Sequence, residues 1–305
     1  MKKEEGIRYK FKSIADAHRI FGLPAPRHPL ISMVKGAPAN IEAMRGPHVL
    51  NFYKIAYKET VGGKLRYGQH YYDFDGGGLL FAAPNQILGS VSDESLAACS
   101  SYTLLIHPDF LLGYPLAKKM KEYGFFSYAA DETLHLSDEE RETVLSLMKM
   151  IETELNSRID DFSQDVVIAQ VELLFTFANR FYKRQFLTRK AVHSDLLQRM
   201  EELLNGYFND EMLLRKGVPT VAYLATQLNV SPSYLSDMLR SLTGQNAQQH
   251  IHDKLIEKAK EMLSVTSLSV SEVAYALGFE YAQSFSKLFK NKTQQSPLAF
   301  RQQFN

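Results

Sequence analysis

Between His28 and His107 apolar positions either alternate with polar ones or form short unbroken runs, in the stretches HPLISMV, HVLNFYKIAYKE, LRYGQHYYDF, LLFAAP and SYTLLIH. Successive strand side chains point to opposite faces, so this pattern predicts a series of short strands. GGK, DGGG and PNQ supply the turns. The gaps are too short for crossover helices, which favours an antiparallel barrel or sandwich. After Pro108 the period lengthens, and helices are expected at residues 110–123, 137–158 and 163–184. The middle one opens on Ser137-Asp-Glu-Glu140, where serine and glutamate can cap each other's amides. Leu147, Ile151 and Leu155 then share one face, which suits packing against the barrel or a dimerisation helix.

Farther on, the pattern repeats itself. TVAYLATQLNVSPSYLSDMLRSL, from Thr220, and SVSEVAYALGFEYAQSFSKLFKN, from Ser269, each read as helix, tight turn, helix. Ala225 and Ala274 stand 49 residues apart, and Leu235 and Phe285 stand 50 apart. In the first copy Thr220 caps the opening helix, Asn229 takes the left-handed turn position, and Ser231-Pro232 starts the second helix. In the second, Ser269 and Glu272 form a capping box and Gly278 takes the place of Asn229. The two alanines leave room for the helices to cross. Leu235, Leu239 and Leu242, and in turn Phe285, Leu288 and Phe289, form the buried sides, with a long helix at about 246–263 joining the copies. Such helix-turn-helix units present the outer face of the second helix to the DNA major groove.

This organisation predicts an α+β chain of two domains. Residues 1–186 form a β domain ending in helices, residues 187–194 a linker, and residues 195–305 an all-α domain of two helix-turn-helix units. The run at 180–190, RFYKRQFLTRK, carries five Lys or Arg and no acid, and reads as a solvated helix end or a phosphate-facing stretch.

Residues 195–305 resemble the DNA-binding domain of the AraC/XylS family of bacterial transcription regulators. The resemblance is carried by Ala274 with Ala-Leu-Gly-Phe at 276–279, Phe285-Ser286-Lys287, Phe289-Lys290, Ser296-Pro297 and Phe300-Arg301. The first copy adds Ser231, Tyr234-Leu235-Ser236 and Thr243-Gly244. Gln294 stands where the family usually has glycine, Ser284 where it often has an aromatic, and Asp237 where a basic residue is common. YDFDGGGLLFAAPNQ and the FFSY at 125–128 resemble the cupin-like sensor barrel of many of these regulators. The resemblance implies a DNA-binding regulator, expected to be an activator. Its implied partners are double-stranded DNA, a small-molecule effector in the barrel and RNA polymerase, with a homodimer through the helices within 137–184.

Composition narrows the rest. The 305 residues carry a net charge of +1 and one cysteine, Cys99, so neither an intrachain disulfide nor a multi-cysteine zinc site is available. The N-terminal MKKEEGIRYKFKS has no signal-peptide core and no run is long enough to span a membrane, so a cytoplasmic protein without membrane contact is expected. Residues 195–305 hold 11 basic and 11 acidic residues, yet Lys287, Lys290, Lys292 and Arg301 lie in an acid-free stretch from 281 to 305. Local positive charge is enough to neutralise phosphates.

Helical direction turns Ser233, Ser236, Asp237 and Arg240 outward in the first copy and Ala282, Gln283, Ser286 and Lys287 in the second. With Ser231, Tyr234, Lys290 and Arg301 from the family pattern, these are the candidate DNA contacts. Gln283 has the donor and acceptor for adenine, Lys287 suits guanine, and Asp237 can accept from cytosine or hold Arg240. The N-terminal half offers Tyr53, Tyr57, Tyr67, His70, Tyr72 and Phe81 as candidate effector-pocket residues. His70 has no second histidine at ligand spacing, and no Ser/His/Asp or Cys/His cluster is present, so no cofactor, metal or enzyme activity is expected. The alternatives are a regulator whose barrel only scaffolds protein contacts, and a cupin-type enzyme fused to a DNA-binding module.

Overall fold

A computed structural model describes residues 9–36, 40, 48–59, 65–67, 70–72, 77–88, 100–129, 132–158, 160–188, 190–209 and 217–304. Residues 65–67 and 70–72 are described by backbone alone, and Cys99 and the GGK turn lie outside the described residues. The chain forms two compact units, Met1–Gln185 and Phe186–Asn305.

The first unit contains β1 (Tyr9–Phe11), α1 (Ile14–Phe21), β2 (Ile31–Lys35), β3 (His48–Leu50), β4 (Tyr53–Lys58), β5 (Leu65–Tyr67), β6 (His70–Tyr72), β7 (Gly78–Ala82), β8 (Ile87–Leu88) and β9 (Ser100–Ile106). The remaining elements are α2 (Leu116–Lys119), β10 (Leu134–His135), α3 (Asp138–Asn156) and α4 (Ser163–Thr188), the last continuing past Gln185. Five strands pair in the order β10-β7-β4-β9-β2, all antiparallel, with β4 in the middle. β1, β3 and β8 form a smaller sheet in which β1 and β3 run parallel, and β5 with β6 forms a separate hairpin.

The expected barrel is therefore corrected. The large sheet ends at β10 and β2, and no sheet closes on itself among the described residues. Strand alternation specifies which face is buried but carries no information on whether two edges meet.

One face of the large sheet, carrying Tyr53, Ile55, Tyr57, Leu79 and Phe81, is covered by aromatic residues. The Phe81 ring lies 4.4 Å from Phe125 and 5.5 Å from Phe126, and Tyr53 lies 5.0 Å from Phe126. Phe175 and Tyr182 of α4 complete the cluster. Against the opposite face, Leu105 packs with Phe11, Ile14, Ala17, Phe21, Leu50 and Phe52.

α1 was absent from the sequence expectations. Its signals are local: the Ser13 hydroxyl accepts from the Asp16 amide, Ile14, Ala17, His18 and Phe21 turn inward, and Gly22 ends it at φ 68°. The helix expected at 110–123 is instead a single 3-10 turn at Pro108–Leu111 followed by the one-turn α2. Gly113 at φ 87° and Pro115 interrupt it. α3 carries the expected capping box, and Leu147 and Ile151 are buried together with Val144 and Met148.

The second unit contains α5 (Lys190–Asn209), α6 (Val221–Leu228), α7 (Pro232–Thr243), α8 (Ala247–Val265), α9 (Val270–Ala276), α10 (Ala282–Thr293) and α11 (Pro297–Arg301). α5 begins six residues before Leu196, where helical periodicity was expected to resume, because Ala191-Val-His-Ser contains no helix breaker. α8 is the spine, in contact with α5, α7, α9, α10 and α11. Its buried Ile251, Leu255, Ala259 and Leu263 recur at the helical repeat.

Candidate nucleic-acid interface

Each helix-turn-helix unit is closed by its own local chemistry. In the first, Thr220 accepts from the Tyr223 amide at 3.1 Å and ends the loop before α6. Asn229 then turns the chain at φ 56°, and Ser231 accepts from the Tyr234 amide with Pro232 in the first helical turn. In the second, Ser269 accepts from the Glu272 amide at 3.2 Å while Glu272 accepts from the Ser269 amide at 2.6 Å. That backbone bond holds the Glu272 carboxyl below its ordinary pKa, so the box is charged at neutral pH. Gly278 makes the turn at φ 80°. The turns close alike: the Val230 amide donates to the Ala225 carbonyl and the Phe279 amide to the Ala274 carbonyl, both at 3.0 Å. Both alanines are buried where the paired helices cross.

The second helices of the two units, α7 and α10, bury equivalent sides of the same pattern. Leu235, Met238 and Leu239 of α7, and Phe285 and Phe289 of α10, have no more than 0% exposure, whereas Leu242 and Leu288 are half-buried. On the other side of α10, Gln283, Lys287 and Lys290 are exposed and Ala282 and Ser286 half-buried. Among the described residues no carboxylate lies within ion-pair distance of Lys287 or Lys290. On α7, Ser231, Ser233, Ser236 and Asp237 are half-buried and Arg240 is exposed. Arg240 Nη1 donates to Asp237 Oδ1 at 2.8 Å, so its charge is already met.

Three of the side chains singled out above are engaged within the unit. Tyr234 is buried, with its ring 5.1 Å from Phe186, and belongs to the core of the unit. Arg301 directs its Nε to the Leu263 carbonyl at 3.2 Å, capping the end of α8. Lys292 Nζ donates to Asp253 Oδ1 at 2.6 Å, while Gln245 Nε2 donates to Asp253 Oδ2 at 2.9 Å. One carboxylate on α8 thus ties the end of α10 to the residue just beyond α7. Sequence order hid this because the Asp253 and Lys292 partners are 39 positions apart.

Tyr281 was also missed. It is exposed and stands directly before α10, whose N-terminus has no side-chain cap. In the basic stretch at 180–190, Arg184 is tied to Glu140 at 2.5 Å and to the His135 carbonyl at 2.7 Å, while Arg189 lies outside the described residues. Of the candidate pocket residues, Tyr57 and Phe81 are buried in the sheet's aromatic core and Tyr53 is half-buried beside them. Tyr67, His70 and Tyr72 occur on β5 and β6, their side chains outside the described residues.

Residues 224–303, from α6 to just past α11, match the family model described as a helix-turn-helix domain. The C-terminal unit contains an AraC-type helix-turn-helix domain. It is similar to an HTH-type transcriptional regulator in the cgkA 5′ region of Pseudoalteromonas carrageenovora, 34% identical over 33% of this chain and 55% of that protein. The HTH-type transcriptional activator RhaS of Salmonella paratyphi B is 28% identical over 48% of this chain and 51% of its own length. The chain thus spans about half the length of these curated relatives. Among solved structures, the C-terminal domain of AraT, a response regulator from Geobacillus stearothermophilus, is 29% identical over 35% of this chain and 84% of that chain, with a TM-score of 0.32. Residues 224–303 thus form a helix-turn-helix domain similar to those of bacterial transcriptional regulators. No helix among the described residues is long and apolar enough to cross a membrane.

Proposed function

We propose that the protein is a cytoplasmic, sequence-specific transcription activator that inserts α7 and α10 into successive major grooves on one side of the duplex, ~34 Å apart. The observation that carries this reading is the outer face of α10, where Gln283, Ser286, Lys287 and Lys290 lie opposite the buried Phe285 and Phe289 with no carboxylate among them. Gln283 is the base reader, Lys287 contacts guanine or phosphate, and Lys290 a phosphate. Ser231, Ser233 and Ser236 of the first unit make the matching contacts in the other groove, with Asp237 and Arg240 facing the duplex as a pair without net charge. The start of α10, which no side chain caps, favours a phosphate beside Tyr281.

In this reading the first unit binds a small-molecule effector, and the change is passed to the DNA-binding unit and to RNA polymerase. A homodimer forms through the helices within 137–184, where Phe162, Val166 and Leu173 are 70%, 39% and 45% exposed along one side of the α4 region. Selection from a random DNA pool at stated salt, followed by the Gln283→Ala variant on the selected sequence, tests the proposal. The expected result is a two-box site and a relaxed preference at one position in the variant. Equal weakening on every sequence removes Gln283 as a reader, and failure to enrich any sequence removes the function.

A further inference from the structure

In the second unit α5 and α6 leave a groove between them with a volume of about 450 Å³. Its α5 wall is one helical face, formed by Arg199, Glu202, Leu203, Gly206 and Tyr207, and Tyr223 lines the α6 side. The Tyr207 and Tyr223 rings meet edge to face at 5.2 Å. Tyr207 is buried, Leu203 and Tyr223 are half-buried, and Arg199 and Glu202 stand exposed at the rim. The volume lies within the ~300–1,000 Å³ of small-molecule sites.

Gly206 indicates that the groove has an occupant. A glycine inside a helix weakens it relative to alanine, and the usual reasons for keeping one are a left-handed φ or a neighbour too close for a Cβ. Neither applies here: Gly206 lies within α5 without a positive φ, and no atom among the described residues comes within 4 Å of a Cβ placed on it. Bare backbone at this point lets a flat molecule lie against the helix. The rim carries charges of both signs. Glu202 accepts from Gln198 Nε2 through Oε1 alone, at 3.0 Å, and Arg199 has no carboxylate partner among the described residues.

The groove also touches the parts that set both helix-turn-helix units. Tyr223 belongs to α6, the first helix of the first unit. The Tyr207 hydroxyl donates to the Gly217 carbonyl at 2.9 Å, and a Cβ on Gly217 would stand 3.3 Å from the carbonyl oxygen of Gly278, the turn residue of the second.

We infer that this groove binds a small aromatic zwitterion of the amino-acid type. Its ring lies against Tyr207, Tyr223 and the Gly206 backbone, its carboxylate meets Arg199 and its ammonium meets Glu202. The occupant contacts Tyr207 and Tyr223 together and so bears on the turn of each helix-turn-helix unit. This site lies in the second unit and is independent of an effector in the first.

The test uses the full chain and L-tryptophan, whose emission stands alone because the chain contains no tryptophan. The expected result is a saturable change in that emission. Tryptamine lacks the carboxylate and indole-3-propionate the ammonium, so each should bind about tenfold more weakly. Arg199→Gln should weaken tryptophan binding about tenfold and leave tryptamine unchanged, and Glu202→Gln should weaken it and leave indole-3-propionate unchanged. Gly206→Leu puts a side chain into the groove where no atom obstructs it. This variant should lose binding while melting no lower than the parent, since leucine is the better helix former. No response to tryptophan, equal affinity for the three compounds, or parental affinity in folded Gly206→Leu overturns the site. Saturating tryptophan should also change the affinity for the selected DNA about fivefold or more in the parent and leave Gly206→Leu unaffected. Ligand binding without that change overturns the link to the turns. A chain that selects no DNA removes the function proposed above and leaves the tryptophan titrations as the test of this site.

Discussion

Replacing Lys287 by alanine removes one exposed cation that no carboxylate among the described residues compensates. Each phosphate neutralised contributes a slope of about −0.9 to log affinity against log salt, so Lys287→Ala should flatten that slope by about 0.9. Between 50 and 200 mM salt this is a change of about 3.5-fold in the ratio of affinities. The first unit predicts the opposite sign. Arg240 is held by Asp237 at 2.8 Å, so Asp237→Ala releases a guanidinium toward the duplex and should steepen the slope by about 0.9. The double variant Asp237→Ala/Arg240→Ala removes both charges and should return to the parent slope. Fluorescence anisotropy with the full chain on its selected DNA, across a salt series, measures all three. Parallel lines for Asp237→Ala and the parent, or no flattening in Lys287→Ala, would refute the distinction between free and compensated cations.

Further predictions concern backbone and burial. Gln294 ends α10 in the left-handed region at φ 63°, where Gly244 ends α7 at φ 80°. Gln294→Gly should therefore stabilise the protein by about 1 kcal/mol, and Gly244→Gln should cost about as much, since no atom lies within 4 Å of a Cβ there to add a clash. Urea midpoints moving in the same direction for both would contradict this. Gly77→Ala should be more damaging, by about 2–3 kcal/mol, because φ is 77° and the new Cβ would meet the Lys58 carbonyl at 2.6 Å; an unchanged urea midpoint counts against it. Lys54→Met should stabilise by about 1–2 kcal/mol at pH 7, less than the full pKa shift implies because Lys54 keeps some contact with water. Folding lowers this pKa to about 8 from 10.5, so the unfolded chain binds more protons in that interval and the parent gains stability as pH rises through it. The variant's advantage should then shrink above pH 8 and vanish near 10.5 in melting experiments; a constant advantage would exclude the titration of Lys54 as its origin.

What could be read in the sequence follows the range of the interaction. Thr220, Asn229, Ser231, Ser269, Glu272 and Gly278 act on amides within a few residues, and each stands in the predicted role. The outward side of α10 was legible because Phe285 and Phe289 fix the inward one. The ring contact of Tyr234 with Phe186 and the bond from Arg301 to the Leu263 carbonyl were not legible because those partners are remote in sequence. The same limit explains the barrel: alternation identified β2, β4, β7 and β9, but pairing between sheet edges is a tertiary property. α1 is different, since its cap and periodicity were present in Ser13 to Gly22 and were overlooked.

The 19-residue α8, ~28 Å of continuous helix, carries the two helices proposed to read DNA, and Asp253 secures the far ends of α7 and α10 to it. For a protein of this design the interval between the two DNA boxes is itself part of the recognised text. Half a turn of duplex added between them rotates one box out of phase, and a full turn restores the phase but exceeds the reach of the rod. The gain from engaging both boxes at once is then lost entirely rather than tapered, so the operator is measured as well as spelled.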